Sequence, residues 1–417
     1  MNEIQLGKLK KTVAWCYERV PFYKNGFDKI GLKPEHIKTL KDVKNIPFTN
    51  KDDLRDNYPY GMFAVPMRDV VRIHASSGTT GRSTVVGYTK ADLEMWSESV
   101  ARVAVMAGAT ADDIVQVAFG YSLFTGAFGL HYGLEKLGAA IIPVSSGNSE
   151  RQIKLMQEFG TTVLVSTPSY ALYLAEVAEK LGVDTAKLNL KLGLLGAEGH
   201  TEEMRREIER RFQIKVTENY GLSEIVGPGV SGECTLHTGM HINEDYFLHE
   251  IIDPDTGEVL PEGEQGEVVI TTLQKEALPL LRYRTHDIAC LDSAPCACGR
   301  TTTRMAKVKG RSDDMLIIRG VNVFPSQIES VILNVEQVAP NYEIVVSRRG
   351  YLDEIEVLVE VSDVSLLDSF SKLEALEEEI RSKLKVILGL DAKVRLVEPE
   401  SLKRFEGKAK RVTDLRK

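Results

Sequence analysis

Residues 75–84 of the chain read Ala75-Ser76-Ser77-Gly78-Thr79-Thr80-Gly81-Arg82-Ser83-Thr84, which sets two glycines among hydroxyl side chains with one cation. Glycine tolerates positive φ and lets the backbone come close to a ligand. Successive N–H groups and hydroxyls can then surround phosphate oxygens. The G-x-x-x-x-G-K-[ST] spacing of a Walker A loop is absent. The stretch therefore predicts a phosphate-binding loop of another kind in a nucleotide enzyme; an ordinary Ser/Thr/Gly surface loop is the alternative.

Composition narrows the class of protein. A chain of 417 residues is too long for one ordinary domain, so two or three are expected. Its 43% hydrophobic and 27% charged residues are typical of a globular protein, and its net charge of −8 argues against a nucleic-acid surface. The sequence shows neither an apolar run of membrane-spanning length nor a signal peptide, so a cytoplasmic location is expected. In that reducing compartment the five cysteines are expected to be thiols or metal ligands.

The pattern over most of the chain predicts an α/β fold. Helical periodicity covers residues 91–106, 149–159, 170–181 and 201–212. Short apolar runs of strand type lie between them, at residues 114–118, 140–144, 162–166 and 192–195. This alternation predicts a mainly parallel sheet. From about residue 234 to 289, segments such as 247–252 and 266–272 are separated by turn signals, which predicts antiparallel strands or a small barrel.

The last hundred residues predict a separate, small α+β lid domain. Pro325 suits the first turn of a helix running to about residue 335. Strands at 342–347 and 354–361, a charged helix at about 366–388 ended by Gly389, and a strand at 392–397 complete the pattern. We place the domain boundary between residues 311 and 312, giving an N-terminal domain of 1–311 and a C-terminal domain of 312–417.

A second stretch carries residues that suit a nucleotide. Glu218-Asn219-Tyr220-Gly221-Leu222-Ser223-Glu224 follows the apolar residues 214–217. The tyrosine offers a flat face for a purine base, and the glycine permits close approach. The serine hydroxyl and the glutamate carboxylate suit phosphate and Mg²⁺, because magnesium prefers oxygen ligands. A strand end with a solvated glutamate is the alternative.

Three later stretches complete the set. Leu281-Arg282-Tyr283-Arg284-Thr285-His286-Asp287 ends in an aspartate that could accept both hydrogen bonds of a ribose diol, or belong to an ion-pair cluster. The glycine-bracketed residues 310–320 predict a hinge between domains. In Arg404-Phe405-Glu406-Gly407-Lys408-Ala409-Lys410-Arg411, the lysine after glycine could move onto a developing phosphoryl or carboxyl charge. A solvated basic tail is the alternative there.

Together these stretches resemble the adenylate-forming superfamily of acyl-CoA synthetases, adenylation domains and luciferases. The chain is most similar to the phenylacetate–CoA ligase branch of that superfamily, and the resemblance covers nearly the whole chain. The stretches characteristic of the branch are Pro47-Phe48-Thr49-Asn50-Lys51-Asp52-Asp53-Leu54-Arg55, Gly120-Tyr121-Ser122-Leu123-Phe124-Thr125-Gly126, Lys275-Glu276-Ala277-Leu278-Pro279 and Arg319-Gly320-Val321-Asn322-Val323-Phe324-Pro325. One departure is Arg82, which stands where the superfamily usually has lysine and keeps the charge.

The resemblance implies a two-step reaction that uses ATP, Mg²⁺ and coenzyme A. A carboxylate attacks the α-phosphorus of ATP, giving an acyl-adenylate and pyrophosphate, and the thiol of coenzyme A then displaces AMP. It also implies a catalytic pair, Lys408 for adenylation and Glu224 facing the α-phosphate and magnesium. Asp313 matches the hinge, and a swing of the C-terminal domain carries Lys408 away for the second step. The implied ATP-binding residues are Ser76, Ser77, Gly78, Thr79, Thr80 and Gly81 for the β and γ phosphates, Gly196, Ala197, Glu198, Glu218, Asn219, Tyr220 and Gly221 around the adenine, Ser223 at the α-phosphate, and Asp287 with Arg311 at the ribose.

Cysteine and histidine in one small β region predict a metal site. Cys296-Ala297-Cys298-Gly299 forms a C-x-C-G element, and Cys234 lies upstream with His241 seven residues after it. Three cysteines and one histidine fit a tetrahedral zinc site, and four closed protein ligands would make it structural. The C-x-C-G element and the Cys234–His241 spacing also resemble a knuckle seen in many relatives. His237 competes as the fourth ligand, and reduced thiols on a surface turn are the alternative.

The resemblance implies an aryl acid as the substrate. Tyr121, Phe124, Ala127, Phe128 and Ile225 are the candidate pocket walls, with ordinary core as the alternative. A flat apolar pocket suits phenylacetate, and substituted phenylacetates, indoleacetate and benzoates stay open. Relatives are often dimers, so a homodimer is expected.

Three functions are therefore weighed: an aryl-acid–CoA ligase, an adenylyltransferase of the same branch that works without coenzyme A on an acid or phenolic acceptor, and a zinc-stabilised scaffold with a dead nucleotide site. Retention of Glu224, Asp287 and Lys408 argues against the scaffold.

Overall fold

The computed structural model describes residues 1–76, 83–312, 315–319, 321–349 and 352–416. The chain forms two compact units. The first contains Met1–Ser166, Leu188–Ala197 and Lys215–Val308, and the second contains Thr167–Lys187, Glu198–Ile214 and Lys309–Lys417. The second unit therefore includes two segments from the middle of the chain as well as its C-terminal quarter.

The α-helices, in chain order, are α1 (Asn2–Arg19), α2 (Pro21–Lys29), α3 (Lys51–Asp56), α4 (Lys90–Ala107), α5 (Gly126–Leu137), α6 (Ser149–Glu158), α7 (Pro168–Lys180), α8 (Glu202–Phe212), α9 (Pro325–Ile332) and α10 (Phe370–Leu388). The predicted helices are present as α4 and α6 to α10, and the structure adds α1, α2, α3 and α5. Helix α4 shows how sequence sets such limits: the Thr89 hydroxyl accepts from the Asp92 N–H at its start, and Gly108, with φ of 98°, ends it.

Both compact units contain β-strands. Those of the first unit are β1 (Arg72–Ala75), β2 (Val85–Tyr88), β3 (Ile114–Val117), β4 (Ala140–Ile142), β5 (Val163–Ser166), β6 (Leu192–Gly196), β7 (Lys215–Leu222), β8 (Gly227–Glu233), β9 (Met240–Ile242), β10 (Phe247–Ile252), β11 (Gly266–Thr272), β12 (Tyr283–Ala289), β13 (Leu291–Asp292) and β14 (Arg304–Met305). Those of the second are β15 (Gly310–Arg311), β16 (Leu316–Ile318), β17 (Val321–Val323), β18 (Val338–Arg349), β19 (Leu352–Val361), β20 (Lys393–Val397) and β21 (Val412–Asp414).

The large sheet of the first unit is mixed, and its parallel part confirms the predicted α/β architecture. Its order is β13-β14-β9-β8-β7-β6-β5-β3-β4. Strands β4, β3, β5, β6 and β7 pair in parallel, whereas β7, β8, β9, β14 and β13 pair antiparallel. The carboxyl ends of β6 and β7 therefore lie side by side, with Gly196 opposite Asn219.

Two antiparallel groups complete the first unit. Strands β10, β11 and β12 pair antiparallel in that order, as the turn signals predicted. Strands β1 and β2 form a hairpin, and the residues between them include the predicted phosphate loop. Residues 218–222 and 283–287, which carry predicted nucleotide-binding residues, lie inside strands β7 and β12.

The second unit has its own apolar core. Its sheet has the order β20-β19-β18-β21, with β18 and β19 antiparallel and the outer strands parallel to their neighbours. Helix α10 buries a stripe at Leu376, Ile380, Leu384 and Leu388, spaced four residues apart along one face. Helices α7 and α8 pack together, and α8 contacts α9. In the described part of the chain, no helix combines the length and apolar character needed to cross a membrane.

Candidate active site

A cluster of hydroxyls and a carboxylate lies where the β1–β2 hairpin opens. The hydroxyl oxygens of Ser76 and Thr84 are 2.6 Å apart, and the backbone N–H of Ser76 donates to the Thr84 carbonyl at 3.0 Å. The Thr84 hydroxyl donates to Oε1 of Glu224 at 2.9 Å, and Nζ of Lys51 lies 3.5 Å from the same oxygen. The two ends of the predicted phosphate loop are thus held together, and the Glu224 carboxylate is fixed at its base.

The buried side chain of Lys275 contacts the backbone of the segment that carries Glu224. Nζ of Lys275 donates to the carbonyl of Ile225 at 2.6 Å and to that of Glu224 at 3.4 Å. Burial lowers the pKa of Lys275 to about 8, although Asp92 and Glu224 act to raise it. The Ser223 hydroxyl lies 3.0 Å from that of Thr125, just before α5. The backbone at Ser223–Ile225 therefore has a fixed position.

The ends of β6 and β7 bring together several predicted nucleotide-binding residues. The Asn219 side-chain amide donates to the Leu195 carbonyl at 2.8 Å. A Cβ on Gly196 would lie 2.8 Å from the Asn219 carbonyl, and one on Gly221 would lie 1.8 Å from the Gly227 carbonyl. Both glycines are thus required by close strand packing. Ala197 has φ of 71°, a strained conformation for alanine.

Strands β7 and β12 join two more predicted residues. The Tyr220 hydroxyl donates to Oδ2 of Asp287 at 2.6 Å. The N–H of Asp287 donates to the Thr285 hydroxyl at 3.1 Å. Glu218 lies nearby in β7, where Nζ of Lys307 is 3.5 Å from its Oε2. The structure therefore brings Tyr220 and Asp287, two of the predicted nucleotide-binding residues, into direct contact.

Arg282 and Arg284, which lie in the same stretch as Asp287, belong to ion pairs. Arg282 forms a bidentate pair with Glu250 at 3.0 Å for both contacts, and also donates to two backbone carbonyls. Nε of Arg284 donates to Glu267 at 3.1 Å. The arginines of this stretch therefore form ion pairs, as the alternative interpretation expected. Asp287 instead accepts a hydrogen bond from Tyr220.

Two of the candidate pocket residues, Tyr121 and Phe128, have aromatic rings in contact with each other. Tyr121 and Phe128 meet edge to face at 5.2 Å between ring centres, and the Tyr121 hydroxyl lies 2.9 Å from Nδ1 of His131. Burial raises the pKa of Tyr121 and lowers that of His131. Ala127 and Ile225 are fully buried, whereas Phe124 is 38% exposed. Ala127 and Ile225 belong to the hydrophobic core of the first unit, and Tyr121 and Phe128 pack against it.

Four cysteine and histidine side chains form a compact cluster at β8, β9 and the turn before β14. The ligand atoms of Cys234, His241, Cys296 and Cys298 lie within 4.8 Å of one another. Sγ of Cys234 is 3.9 Å from Sγ of Cys296, and Sγ of Cys298 is 3.4 Å from Nε2 of His241. Those separations are close to the ligand–ligand distances of about 3.5–3.8 Å expected around a tetrahedral zinc ion.

The other histidine has a different partner. Nδ1 of His237 lies 3.3 Å from Glu233, outside the cluster. Nδ1 of His241 lies 3.1 Å from the Thr302 hydroxyl, which leaves Nε2 to face the thiols. Such a second contact orients a histidine ligand. The structure therefore distinguishes between the two candidates for the fourth position, in favour of His241.

In the second unit, the structure joins Glu198 to the C-terminal segment. The Glu198 carboxylate accepts from the backbone N–H of Ser169 at 2.6 Å and from that of Ala409 at 2.8 Å. Lys408, the preceding residue, has an exposed side chain. Arg311 lies in β15 of the same unit and is half-exposed.

Several predicted residues lie outside the described part of the chain. They are Ser77, Gly78, Thr79, Thr80, Gly81 and Arg82 in the phosphate loop, and Asp313 at the predicted hinge.

Sequence reasoning did not single out three residues that the geometry brings to the site. Thr84 and Lys51 both contact the Glu224 carboxylate, and Lys275 supports its backbone. All three stand in stretches that form the phosphate loop or carry the family resemblance. No pattern in the sequence marks Lys275 as buried, because lysine is almost never fully buried unless it is paired.

Comparison with known protein families matches both parts of the chain. Residues 27–274 match the AMP-binding enzyme family, and residues 320–416 match the AMP-binding enzyme C-terminal domain.

Curated relatives match along the full length. A phenylacetate-coenzyme A ligase of Thermus thermophilus is 50% identical, covering 100% of this chain and 97% of that protein. A phenylacetate-coenzyme A ligase of Escherichia coli is 48% identical, covering 100% and 95% respectively.

Solved structures of a 2-hydroxyisobutyryl-CoA ligase are also similar. The complex with 2-HIB-AMP in the postadenylation state superposes with a TM-score of 0.93 at 29% identity, covering 99% of this chain and 89% of that chain. The complex with 2-HIB-AMP and CoA in the thioesterification state gives 0.73 at 30% identity, covering 100% and 90%.

Proposed function

The chain belongs to the AMP-binding enzyme family, and we propose that it joins phenylacetate to coenzyme A in an ATP-dependent reaction that passes through phenylacetyl-AMP. The relatives that are about half identical over the whole chain are phenylacetate-coenzyme A ligases. Formation of a CoA thioester by way of an acyl-adenylate is the chemistry of the family branch; the identity of the acid is the part that rests on likeness to those relatives.

The observation that carries the proposal is the cluster of Ser76, Thr84 and Glu224 at the base of residues 77–82. Hydroxyls and a fixed carboxylate at the mouth of a glycine-rich loop suit a magnesium triphosphate, because the hydroxyls bind phosphate oxygens and the carboxylate binds the metal. A surface loop without a ligand has no need of a carboxylate held by a hydroxyl and a lysine.

The reaction balances in two steps. In the first, a carboxylate oxygen of phenylacetate bonds to the α-phosphorus while the bond from that phosphorus to the bridging oxygen breaks, and pyrophosphate leaves. In the second, the sulfur of coenzyme A bonds to the acyl carbon, the bond to the phosphate oxygen breaks, AMP leaves and the thiol proton passes to solvent. The first step brings two anions together, so cations at the site lower its barrier.

Residues of this chain divide these tasks in the proposal. Ser76 and the loop that follows hold the β and γ phosphates, and Ser223 holds the α-phosphate. Asp287 binds the ribose diol, and Tyr220, which is proposed to face the adenine, donates its hydroxyl to Oδ2 of Asp287 at 2.6 Å. Lys408 stabilises the developing charge in adenylation, as its exposed side chain next to glycine permits.

The remaining nucleotide contacts are proposed from position in the fold. Gly196, Ala197 and Asn219 line the adenine, because they lie at the adjoining ends of β6 and β7, with Glu198, Glu218 and Gly221 next to them in sequence. Arg311 is proposed to act near the ribose, and Asp313 to act as the hinge.

Mg²⁺ is proposed as the metal of the triphosphate. The Glu224 carboxylate would hold it, with the Thr84 hydroxyl 2.9 Å from that carboxylate and Ser223 next to it in sequence, and this all-oxygen donor set fits magnesium. When bound, the ion would offset the charge of the phosphates.

A structural zinc ion is proposed for the cluster of Cys234, His241, Cys296 and Cys298. The donor set fits, because three sulfurs and one imidazole nitrogen lie within 4.8 Å of one another. All four positions belong to protein side chains, so the ion would support the fold between β8, β9 and β14 and take no part in the reaction.

The acid pocket is proposed to be bounded by Tyr121, Phe124, Ala127, Phe128 and Ile225. Its rings and buried aliphatic side chains suit an aryl group, and the short arm of phenylacetate would carry the carboxylate toward the α-phosphate proposed to lie at Ser223, two residues before Ile225 in the chain. We further propose a homodimer in the cytoplasm, where ATP, coenzyme A and reduced thiols are available.

The test is an assay with purified protein, ATP, Mg²⁺ and phenylacetate, with and without coenzyme A, in which mass spectrometry resolves AMP, pyrophosphate and thioester. Phenylacetyl-CoA formed together with AMP, and only when coenzyme A is present, is the expected result. A panel containing indoleacetate, benzoate and a short aliphatic acid serves as the specificity control. Gel filtration with light scattering tests the homodimer.

Two outcomes would contradict the proposal in different ways. Pyrophosphate release from phenylacetate with no thioester formed would favour an adenylyltransferase of the same branch. Thioester formation from the aliphatic acid at a higher kcat/KM than from phenylacetate would overturn the aryl-acid assignment. Lys408→Ala is expected to lower adenylation by at least about a hundredfold while ATP still binds, which separates chemistry from binding.

A further inference from the structure

The loop that carries Lys408 is anchored on both sides by arginines. Before the lysine, Arg404 forms a bidentate pair with the buried Glu360, at 2.8 Å for each contact, and donates to Glu176 at 3.0 Å. After the lysine, the guanidinium of Arg411 lies 4.4 Å from the centre of the Tyr342 ring. Lys408 lies between these anchors and is exposed.

Between the anchors, the backbone of the loop has a charged partner. The N–H of Ala409, one residue after Lys408, donates to Oε2 of Glu198 at 2.8 Å. Oε1 of the same carboxylate accepts from the N–H of Ser169 at 2.6 Å, in the first turn of α7. The start of a helix favours a carboxylate, because its N–H groups lack partners within the helix and its dipole is positive there.

The surroundings of Glu198 make these contacts strong. Burial raises the pKa of Glu198, while the Ser169 and Ala409 contacts and the charge of Arg411 lower it. Hydrogen bonds to an ionised group in a poorly solvated place are stronger than those in water. The Glu198 carboxylate therefore links Ala409, the residue next to Lys408, to the start of α7 in the same unit.

We propose that Glu198 is a positioning residue that fixes the Lys408 loop for adenylation by bridging the N-terminus of α7 and the amide of Ala409. This inference rests on the proposed role of Lys408 and is an alternative to the adenine-lining role that likeness to relatives implies for Glu198. The two roles predict different kinetics. A side chain that lines the adenine affects ATP binding, whereas one that holds the loop affects the rate of the adenylation step.

The test compares Glu198→Gln with the wild type and with a matched control, Glu203→Gln. Glutamine has nearly the same shape but one carbonyl acceptor, so it satisfies only one of the two N–H donors. Glu203 lies in the first turn of α8 in the same unit and, among the described residues, forms no hydrogen bond to residues 404–411. The control keeps the same change of charge.

The kinetic arm measures adenylation by ATP–pyrophosphate exchange and thioester formation from synthetic phenylacetyl-AMP. Glu198→Gln is expected to lower kcat for adenylation about tenfold to a hundredfold, the loss expected for one charge-assisted hydrogen bond. The KM for ATP and the rate of the second step should stay within about twofold. In a Lys408→Ala background the substitution should have no further effect, because it acts through that lysine. A rise in the KM for ATP with unchanged kcat would overturn the inference.

A structural arm decides the question independently of the substrate. Hydrogen exchange of the peptide covering residues 404–411 should speed up by about tenfold in Glu198→Gln and stay at the wild-type rate in Glu203→Gln. Unchanged exchange in Glu198→Gln would overturn the inference even if the enzyme makes phenylacetyl-CoA. In a further outcome, the wild type makes no phenylacetyl-CoA while Glu198→Gln still speeds up exchange of residues 404–411. That result would refute the proposed substrate and leave the loop contact supported.

Discussion

Replacing Lys275 by methionine is expected to change how the stability of the protein depends on pH. The Lys275 side chain is 2% exposed, and Nζ lies 4.6 Å from the centre of the Tyr88 ring. It donates to the carbonyls of Glu224 and Ile225. Burial lowers its pKa from 10.5 to about 8. The folded protein therefore releases this proton near pH 8, whereas the unfolded chain holds it to about pH 10.5.

The sign and size of the effect follow from this difference in pKa. Since the unfolded chain binds more protons between the two values, the penalty for burying the charged lysine is fully present below the folded value and is relieved as the pH rises. Between about pH 7.5 and about pH 9.5 the free energy of unfolding of the wild type should gain about 2 kcal/mol from this group. Methionine does not titrate, so the variant lacks this gain. At either pH, the two carbonyls left without their donor cost about 1–3 kcal/mol each.

The measurement is urea unfolding at both pH values. Both tryptophans, Trp15 and Trp96, lie in the first compact unit with Lys275, so their fluorescence reports on the right part of the chain. Lys90→Met, at the exposed first position of α4, is the control and should shift equally at both pH values. A difference between wild type and Lys275→Met that stays constant across the two pH values would refute the reasoning.

Three further predictions concern metal content, catalysis and folding. The protein should contain about one zinc ion per chain by mass spectrometry; Cys298→Ser should lower the zinc content severalfold and His237→Ala should leave it unchanged, and the reverse pattern would contradict the ligand set. Glu224→Gln should lower kcat for adenylation by about a hundredfold with little change in melting temperature, and wild-type turnover would exclude a role in catalysis. Arg282→Met should lower the free energy of unfolding by about 3–5 kcal/mol in urea, because it leaves the buried Glu250 carboxylate without its partner. Adding Glu250→Gln should recover part of that loss; no recovery would show that the pair is not the cause.

Much of the fold could be predicted because local patterns set it. The apolar period of α10 and the glycine with φ of 71° that ends it predict that helix to within a few residues at one end and place its C-terminus at Leu388. Strands β10 and β11 match the predicted segments, since turn signals bound them on both sides. The sequence did not place residues 218–222 in β7, because Glu218, Asn219 and Gly221 interrupt the apolar pattern while the backbone pairs with β6 and β8. The pattern of apolar side chains does not reveal backbone pairing of this kind.

The candidate site divides in the same way. The stretch Ser76–Thr84 and the cysteine–histidine cluster indicate their chemistry through residue type and spacing. The choice between His237 and His241 could not be made from spacing, because both follow Cys234 within one short segment. His241 lies in β9, where it pairs with Arg304 across the sheet, whereas His237 lies before that strand and contacts Glu233.

By itself, the sequence determined the class of fold, the family resemblance and the kinds of residue available to bind a nucleotide, because period, glycine placement and short motifs are local properties. Only the tertiary structure decided that the Glu224 carboxylate lies against Thr84, that Lys275 holds its backbone, and that Glu198 reaches the amide beside Lys408. Each of these contacts joins residues dozens to hundreds of positions apart. Their energy depends on burial and direction, which exist only once the chain has folded.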